Sequence, residues 1–415
     1  MSSDSDWLLE ADIRPAIWQE QNSRWAAPQH YTCSYMAMFP PQLPHYFISR
    51  FTKPGDIVLD PFSGRGTTAV QAMSQSRIGI GNDLNDLAYV LTRGKIANPS
   101  LEDVLTRLEE LEQGFSREDW LHLKGIPHKI RMIFHPETQR HLMYLREELD
   151  WREDDVDAFL TMVLMGAMHG ASPGFLSLSM PNTFSMGWGY VKRYIEKHNL
   201  KRPNRDAFEV LRKRCERFLK LGPLPGEGLA IHGDVRDLDN SDQIKDGSVK
   251  MVFSSPPYLK VIKYGLYNWI RLWWLLGDYK EVDEKLDDSH SIGPYLEFMR
   301  EVMETTLPLL DSKVGLACWV IGDVQELNLA KKVWDSVGSK IECEGSKGKV
   351  KRYRLLGIVE DRIADIEKVT RIWNSEVDKS GKATPIDRIL MICPESSDPI
   401  ANSTNEEVVW EPLMS

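Results

Sequence analysis

The stretch that decides the fold is DIVLDPFSGRGTT at residues 56–68. Its order predicts a buried strand, a glycine-rich turn and then a helix over residues 69–74. Glycines let the backbone approach a ligand closely, and a helix amino terminus supplies free N–H groups. The spacing differs from that of dinucleotide-binding and phosphate-binding loops. With Asp60 at its start and Arg65 as its single basic residue, the turn suits a cationic or zwitterionic ligand.

A second motif, VKMVFSSPPY, occupies residues 249–258. The apolar run at its start predicts a buried strand, which the two prolines end because they have no N–H for the sheet. A stiff turn then presents a hydroxyl, two carbonyls and an aromatic ring at the strand's carboxyl end, where open parallel sheets bind ligands. Hydrogen-bond acceptors beside an aromatic ring suit a flat heterocyclic base with an exocyclic amine. The acceptors bind the amine hydrogens, and Tyr258 stacks on the base. Taken alone, the motif equally fits a strand-ending turn with a packed tyrosine.

Together the two motifs resemble those of the DNA amino-methyltransferases, which use S-adenosylmethionine (SAM). In that family D-P-F-x-G-x-G-T-T is the SAM-binding signature, and S-P-P-Y is the catalytic signature typical of the cytosine-N4 enzymes. Both are matched without a departure, and the resemblance covers the two flanks of the chain but not its middle. It implies an α/β fold: a Rossmann-like SAM-dependent methyltransferase sheet with a mostly helical inserted domain.

The resemblance also implies a set of site residues. The implied catalytic residues are Ser255, Pro256, Pro257 and Tyr258, and the implied cofactor-binding residues are Phe39, Asp60, Pro61, Phe62, Gly64, Gly66, Thr67, Asp83 and Asp234. Asp83 ends a second predicted strand, where such folds place a carboxylate for the ribose hydroxyls. Asp234 follows a third strand and corresponds to an acid that contacts the adenine, while Phe39 lies in a segment that closes over the methionine end. Either acid alone could instead cap a helix or a turn.

The domain organisation follows from the 185 or so residues between the motifs, far more than two or three strand–helix units need. We expect residues 1–99 and 226–395 to form the two parts of the methyltransferase domain. Residues 100–225 are expected to be a helical insertion in the position of a target-recognition domain, and residues 396–415 a polar, loose tail. Predicted helices cover residues 101–112, 136–149, 156–169, 206–219 and 327–337, and strands 349–359 and 388–393 are expected to form a closing antiparallel hairpin.

The net charge of −10 is unusual for a nucleic-acid binder, so a basic footprint must be local. Residues 192–220 hold eleven lysines and arginines against four acids. The second basic run comprises Lys347, Lys349, Lys351, Arg352 and Arg354, and we expect it in the hairpin beside the catalytic edge of the sheet. Either run could bind DNA phosphates, and either could be an ordinary solvated face.

Two further segments could contact a nucleic acid. The loop at residues 177–190 carries polar and aromatic side chains that could address base edges or stack on bases, or it could be a packed connection. Tyr264 could reach the target-base pocket, or it could belong to a helix that covers the sheet.

Composition is that of an intracellular enzyme, and we expect a cytoplasmic location. The chain has 415 residues, 42% of them hydrophobic, without an apolar run long enough for a membrane span. Its first residues are polar and acidic, unlike a signal peptide. The five cysteines show no zinc-ligand spacing, so no metal is expected. None follows a proline in a strand-end loop, so carbon-5 methylation of cytosine has no candidate nucleophile.

These features predict a site-specific, SAM-dependent DNA methyltransferase acting on an exocyclic amine, with N4 of cytosine as the expected target. Its expected partners are DNA and a restriction-modification or other defence system. Three alternatives remain open at this stage: methylation of adenine N6, an RNA or protein amide substrate, and a non-catalytic subunit that binds SAM or DNA.

Overall fold

The structure is a computed structural model of the chain. It describes residues 7–8, 10–35, 39–121, 125–180, 186–257, 264–275, 280, 284, 291–324, 327–344, 350–362, 386–404 and 407–411.

One mixed sheet organises the chain. Its strands are β1 (Ile57–Asp60), β2 (Ile78–Asp83), β3 (Glu227–His232), β4 (Val249–Ser254), β5 (Leu316–Gly322), β6 (Glu342–Glu344), β7 (Val350–Arg362) and β8 (Ile386–Pro394). Their order in the sheet is β3-β2-β1-β4-β5-β8-β7-β6. The first five run parallel, and β8, β7 and β6 are antiparallel to their neighbours. This arrangement confirms the predicted α/β methyltransferase class and its closing hairpin.

The described residues form fourteen α-helices. They are α1 (Ala16–Gln19), α2 (Gln42–Phe51), α3 (Thr67–Ser74), α4 (Asp86–Ile96), α5 (Leu101–Gly114), α6 (His128–Arg131), α7 (Pro136–Glu148), α8 (Asp155–Ala167), α9 (Trp188–His198), α10 (Ala207–Phe218), α11 (Tyr264–Tyr267), α12 (Trp269–Leu275), α13 (Ile292–Leu309) and α14 (Leu329–Ser336). The six helices predicted from the sequence are confirmed as α3, α5, α7, α8, α10 and α14. Ser100, Asp154 and Asp206 cap the first turns of α5, α8 and α10 with side-chain oxygens.

The glycines of β2 explain how closely the helices cover the sheet. A Cβ at Gly79 would lie 2.3 Å from the backbone oxygen of Ala69 in α3. A Cβ at Gly81 would lie 2.8 Å from Cγ2 of Thr92 in α4 and 2.9 Å from Cβ of Ser63. The I-G-I-G pattern of this strand therefore permits two helices and the glycine-rich turn to approach its backbone.

The helical region between β2 and β3 shares a hydrophobic core with the helices next to the sheet. Leu91 of α4, Met162 of α8 and Trp274 of α12 belong to the same buried cluster. A Cβ at Gly94 in α4 would lie 2.3 Å from Cβ of Met162, so these two helices are in close contact. The predicted boundaries at residues 100 and 225 stay a prediction, because the core runs continuously across them.

The expectation of a loose tail is wrong for its described part. The ring of Trp410 lies 5.3 Å from that of Trp25 and 4.6 Å from that of His45. His45 Nε2 and the carbonyl of Val409 are 2.9 Å apart. The Trp410 ring and the Val409 carbonyl therefore hold this polar segment against the protein, and composition alone does not reveal such contacts.

Candidate active site

The two sequence motifs meet at the carboxyl edge of the parallel strands, where β1 and β4 are neighbours. Ser254 Oγ donates a hydrogen bond of 2.5 Å to Asp60 Oδ1, although the two residues are 194 positions apart. Thr68 Oγ1 donates to the carbonyl of Phe253 at 3.2 Å. The strand order also reverses between β1 and β4, which makes this the topological switch point where such sheets bind ligands.

Asp60 lies beneath this junction and is only 1% exposed. Burial raises the pKa of its carboxyl to about 7, while hydrogen bonds from the Ser254 hydroxyl and the Phe62 amide oppose the increase. The carboxylate therefore ties the glycine-rich turn to the end of β4. The predicted contact of Asp60 with the cofactor stays a prediction.

The glycine-rich turn depends on backbone angles that favour glycine. Gly64 has φ +52° and Gly66 has φ +77°, both in the left-handed region. A Cβ at Gly66 would lie 3.0 Å from Thr92 Oγ1 and 3.2 Å from its Cα, whereas a Cβ at Gly64 would meet only the ring of Tyr35 at 3.6 Å. The turn leads directly into α3, which begins at Thr67.

Asp83 ends β2 beside this turn and is partly accessible. Its Oδ2 accepts the Gly64 N–H at 2.9 Å, and its Oδ1 accepts the Asn85 N–H at 2.9 Å. Burial raises the pKa of the carboxyl to about 6, and the backbone hydrogen bonds act in the opposite direction. Because each carboxylate oxygen can accept more than one hydrogen bond, Asp83 can hold the turn and still accept ligand hydroxyls.

A pair of aromatic rings lies next to the glycine-rich turn. The rings of Tyr35 and Tyr264 are stacked, with centroids 5.7 Å apart and planes at 23°. Asn85 Nδ2 donates to the Tyr35 hydroxyl oxygen at 2.9 Å. Burial raises the pKa of both tyrosines, with Asp83 as a further cause, so the hydroxyls stay neutral. Tyr264 thus lies beside the glycine-rich turn, and Tyr35 is a site residue that the sequence reasoning missed.

Arg271 connects the segments that carry Tyr35 and Tyr264. It is fully buried, and its guanidinium donates to the carbonyls of Met165 and Ser34 and to Asn268 Oδ1 at 2.8–3.2 Å. Ser34 precedes Tyr35, and Asn268 Nδ2 donates to the Tyr264 carbonyl at 2.9 Å. No motif marked Arg271, because its role depends on elements that are distant in sequence.

Four further residues that were predicted to bind the cofactor lie around this junction of the two motifs. The ring of Phe39 lies 5.6 Å from that of Phe253, edge to face, just before the S-P-P turn. Phe62 lies 5.6 Å from Phe298 of α13. Thr67 Oγ1 accepts a hydrogen bond from Arg65 Nε at 3.2 Å. Pro61 offers its carbonyl to Asn82 Nδ2, also at 3.2 Å.

Asp234 follows β3, which pairs with β2 so that His232 lies opposite Asp83. It caps a short 3-10 helix through the Arg236 amide, and its two oxygens accept the Arg236 guanidinium at 2.9 and 2.8 Å. Burial would raise the pKa of the carboxyl, but the bonds from Arg236 lower it overall. A ligand amine that binds Asp234 would donate to the same carboxylate oxygens that already accept hydrogen bonds from Arg236.

The S-P-P turn is fixed on β5. Ser255 Oγ donates a 3.0 Å hydrogen bond to the Val320 carbonyl, and Pro256 is buried. The hydroxyl proton is therefore used within the protein, and the oxygen's lone pairs are left to accept a proton from a ligand. Pro257 is half-buried, and Tyr258 lies outside the described residues.

The placement of the second basic run beside the catalytic edge is wrong. In the hairpin, Tyr353 lies opposite Pro394, and in the neighbouring pair Ile392 lies opposite Ala317 near the start of β5. Lys351 and Arg352 thus lie at the amino-terminal edge of β5, away from Ser255, because β7 runs antiparallel to β8. Lys351 Nζ donates to the Pro308 carbonyl at 3.0 Å, and Arg352 pairs with Glu342 at 2.7 Å. Lys347 and Lys349 lie outside the described residues.

Two absences hold for the described part of the chain. No helix there is both long and apolar enough to cross a membrane. No group of three or more histidine, cysteine or acidic side chains there could hold a metal ion.

Comparison with known proteins supports the resemblance seen in the motifs. Residues 10–91 match the family model described as DNA methylase, which groups N6 and N4 enzymes. The chain is 30% identical over 123 residues to the type II methyltransferase M.MjaII of Methanocaldococcus jannaschii, covering 28% of this chain and 22% of that protein. It is 38% identical over 92 residues to the type II methyltransferase M.BglI of Bacillus subtilis, covering 18% and 26%. The resemblance to the N4/N6 DNA amino-methyltransferases is thereby confirmed.

The extent of these matches is limited. The family match contains the glycine-rich turn and Asp83 but ends well before the S-P-P-Y motif. The chain spans about a quarter of the length of these two relatives. Among solved structures, an rRNA methyltransferase, aviRa from Streptomyces viridochromogenes, aligns over 97% of this chain and 96% of its own, with 10% identity and a TM-score of 0.30.

Proposed function

We propose that this chain is a SAM-dependent DNA methyltransferase that methylates the exocyclic amine of a flipped base, with N4 of cytosine as the target. The observation that carries the proposal is the junction between the two motifs. The glycine-rich turn and the S-P-P turn are held at one edge of the sheet by the bond from Ser254 to Asp60. A methyl donor over the first turn and an amine at the second would be neighbours there.

The residues around the glycine-rich turn suit SAM, a zwitterionic molecule with a cationic sulfonium, ribose hydroxyls and an adenine. Asp83 offers carboxylate oxygens next to a backbone that, at Gly64, has no side chain to fill the space below Tyr35. The stacked pair of Tyr35 and Tyr264 provides an aromatic wall, and no polyphosphate-binding lysine lies in the turn. When bound, SAM supplies an electrophilic methyl group.

The S-P-P turn suits the acceptor amine. The nitrogen of a cytosine amine is a poor nucleophile, because its lone pair is delocalised into the ring. Ser255 Oγ, whose own proton goes to Val320, can accept one amine hydrogen, and the Pro256 carbonyl can accept the other. These bonds favour a pyramidal nitrogen with its lone pair directed at the methyl group, and positioning supplies most of the acceleration. The target base has to leave the stack to reach this turn, and Tyr258 is proposed to stack on it.

The proposal is tested by transfer of tritiated methyl groups from SAM to duplex DNA and, in parallel, to RNA. We expect incorporation into duplex DNA, and Ser255→Ala should lower the rate while leaving SAM affinity unchanged. Transfer to RNA alone would assign a different substrate. SAM binding without transfer to either nucleic acid would favour a non-catalytic subunit.

A further inference from the structure

We infer that helix α9 and the basic residues beside it form the surface that contacts the phosphates of duplex DNA next to the active site. This inference rests on the proposed function and assigns the protein surface that holds the substrate. We call the surface the α9 ridge and define it by Lys129, Arg131, Arg193, Lys197, Lys201 and Arg202.

The α9 ridge concentrates positive charge. Residues 126–135 and 186–205 contain eight lysines and arginines and one acid, Glu196, in a chain whose net charge is −10. Glu196 interacts with Lys192 at 3.9 Å. Among the described residues, Arg193, Lys197 and Lys201 form no ion pair, and all three are exposed. A concentration of unneutralised cations on an acidic protein is the electrostatic footprint expected of a nucleic-acid contact.

The cations on α9 lie beside an ordered row of aromatic rings. Val191 and Ile195 face the core, so the opposite face of the helix is solvent-accessible. The rings of Tyr190, Tyr194 and His198 follow one another along one strip at i, i+4 spacing. The first two are stacked with centroids 5.9 Å apart, and the last two are tilted with centroids 4.3 Å apart. Arg193 and Lys197 follow on the adjacent strip, because residues three and four apart share a helix face.

The ridge is continuous across two helices. The ring of His128 in α6 lies 6.4 Å from that of Trp188 at the start of α9. Arg202, after the end of α9, donates to the Arg131 carbonyl at 2.6 Å. These contacts hold the cations of α6 beside those of α9, so that several phosphates could be met at once.

The ridge is also connected to the catalytic edge. Trp269 Nε1 donates to the Met186 carbonyl at 2.8 Å, directly before α9, and Lys129 Nζ lies 4.9 Å above the Trp269 ring. Trp269 begins α12, which follows α11 with Tyr264 at the glycine-rich turn. The ridge is thus built onto the segment that follows the S-P-P turn. The Lys351–Arg352 run, in contrast, lies at the opposite edge of the sheet.

The test compares two charge-reversal variants. Arg193→Glu with Lys197→Glu alters the ridge. Lys245→Glu with Lys332→Glu is the matched control, since these two lysines are exposed and lie outside both the ridge and the basic run at residues 192–220. All four changes are at exposed positions, and thermal unfolding and SAM titration verify that each protein is folded. Affinity for a fluorescent duplex DNA of mixed sequence is measured by anisotropy at several salt concentrations.

For the ridge variant we expect weaker binding on every DNA sequence and a flatter plot of log affinity against log salt. The slope should change by about 0.9 for each phosphate that the variant no longer neutralises, hence by about 1.8 for two phosphates. The control should keep most of the wild-type slope. A ridge variant with the slope and affinity of the wild type would overturn the inference while leaving the proposed function intact.

Two other outcomes separate the inference from the proposed function. If the wild-type protein binds single-stranded RNA but not duplex DNA, and the ridge variant loses RNA binding, the surface is real but its occupant is not DNA. If the wild type binds neither nucleic acid, the proposed function and the ridge both fail.

Discussion

Replacing Asp83 with asparagine is the most direct test of the proposed SAM-binding residues. Asp83 accepts the Gly64 and Asn85 amides at 2.9 Å each and is proposed to accept the ribose hydroxyls of SAM as well. A hydrogen bond to a charged group contributes about 1.5–3 kcal/mol, which corresponds to about 10- to 150-fold in the dissociation constant. We therefore expect Asp83→Asn to weaken SAM binding by that factor, measured by isothermal titration calorimetry.

The pH dependence gives a second, independent signature of the same residue. Hydroxyl groups donate to the ionised carboxylate, and the pKa of Asp83 is about 6 in the free protein because of burial. Affinity should be complete above that pH and fall as the pH drops through 6. At pH 5 about one tenth of the carboxyl is ionised, so the dissociation constant should be about tenfold above its plateau.

The control for both measurements is Asp86→Asn, which makes the same charge change on a neighbouring acid that lies 3.5 Å from His232. The Asp83→Asn variant should lose most of the pH dependence around pH 6, whereas Asp86→Asn should keep it. Equal affinity and an equal pH profile in wild type and Asp83→Asn would refute the assignment of Asp83 to the cofactor.

Three further predictions concern other parts of the structure. Ser255→Ala should lower the methyl-transfer rate by about 5- to 150-fold, as loss of one hydrogen-bond acceptor of about 1–3 kcal/mol does, with SAM affinity unchanged in a titration; an unchanged rate would contradict its role. Gly66→Ala should lower the melting temperature more than Gly55→Ala, because both positions have positive φ but only a Cβ at Gly66 would approach Thr92; equal losses would show that this contact is harmless. Trp410→Ala should destabilise the protein by about 1–3 kcal/mol in urea unfolding, since the ring is partly buried; no change would restore the view of a loose tail.

The sheet and its glycine-rich turn could be predicted from the sequence because their signals are local. Residues 56–68 combine an apolar run, two glycines and a following helix, and the prolines at 256 and 257 end a strand whatever surrounds them. The helices at 101–114 and 207–218 were found for the same reason, from their caps and apolar spacing.

Other features could not be predicted, because they depend on contacts between distant parts of the chain. Tyr35 and Arg271 belong to no motif, and their roles exist only where the segment before α2 meets α12. The position of Lys351 was wrong because the direction of β7, and hence which end of the hairpin carries the charges, follows from strand pairing rather than composition. Trp410 was missed because one aromatic ring does not alter the polarity of its segment.

The proposed methylation is tested most simply by mass spectrometry of the nucleosides released from duplex DNA that has been incubated with the purified protein and SAM. The proposal predicts N4-methylcytosine, and it predicts that the amount decreases sharply with Ser255→Ala. Duplex DNA that contains only N6-methyladenine would contradict the assigned base while keeping the reaction on an exocyclic amine. DNA that contains no methylated base, under conditions in which the protein binds SAM, would contradict the proposed function itself.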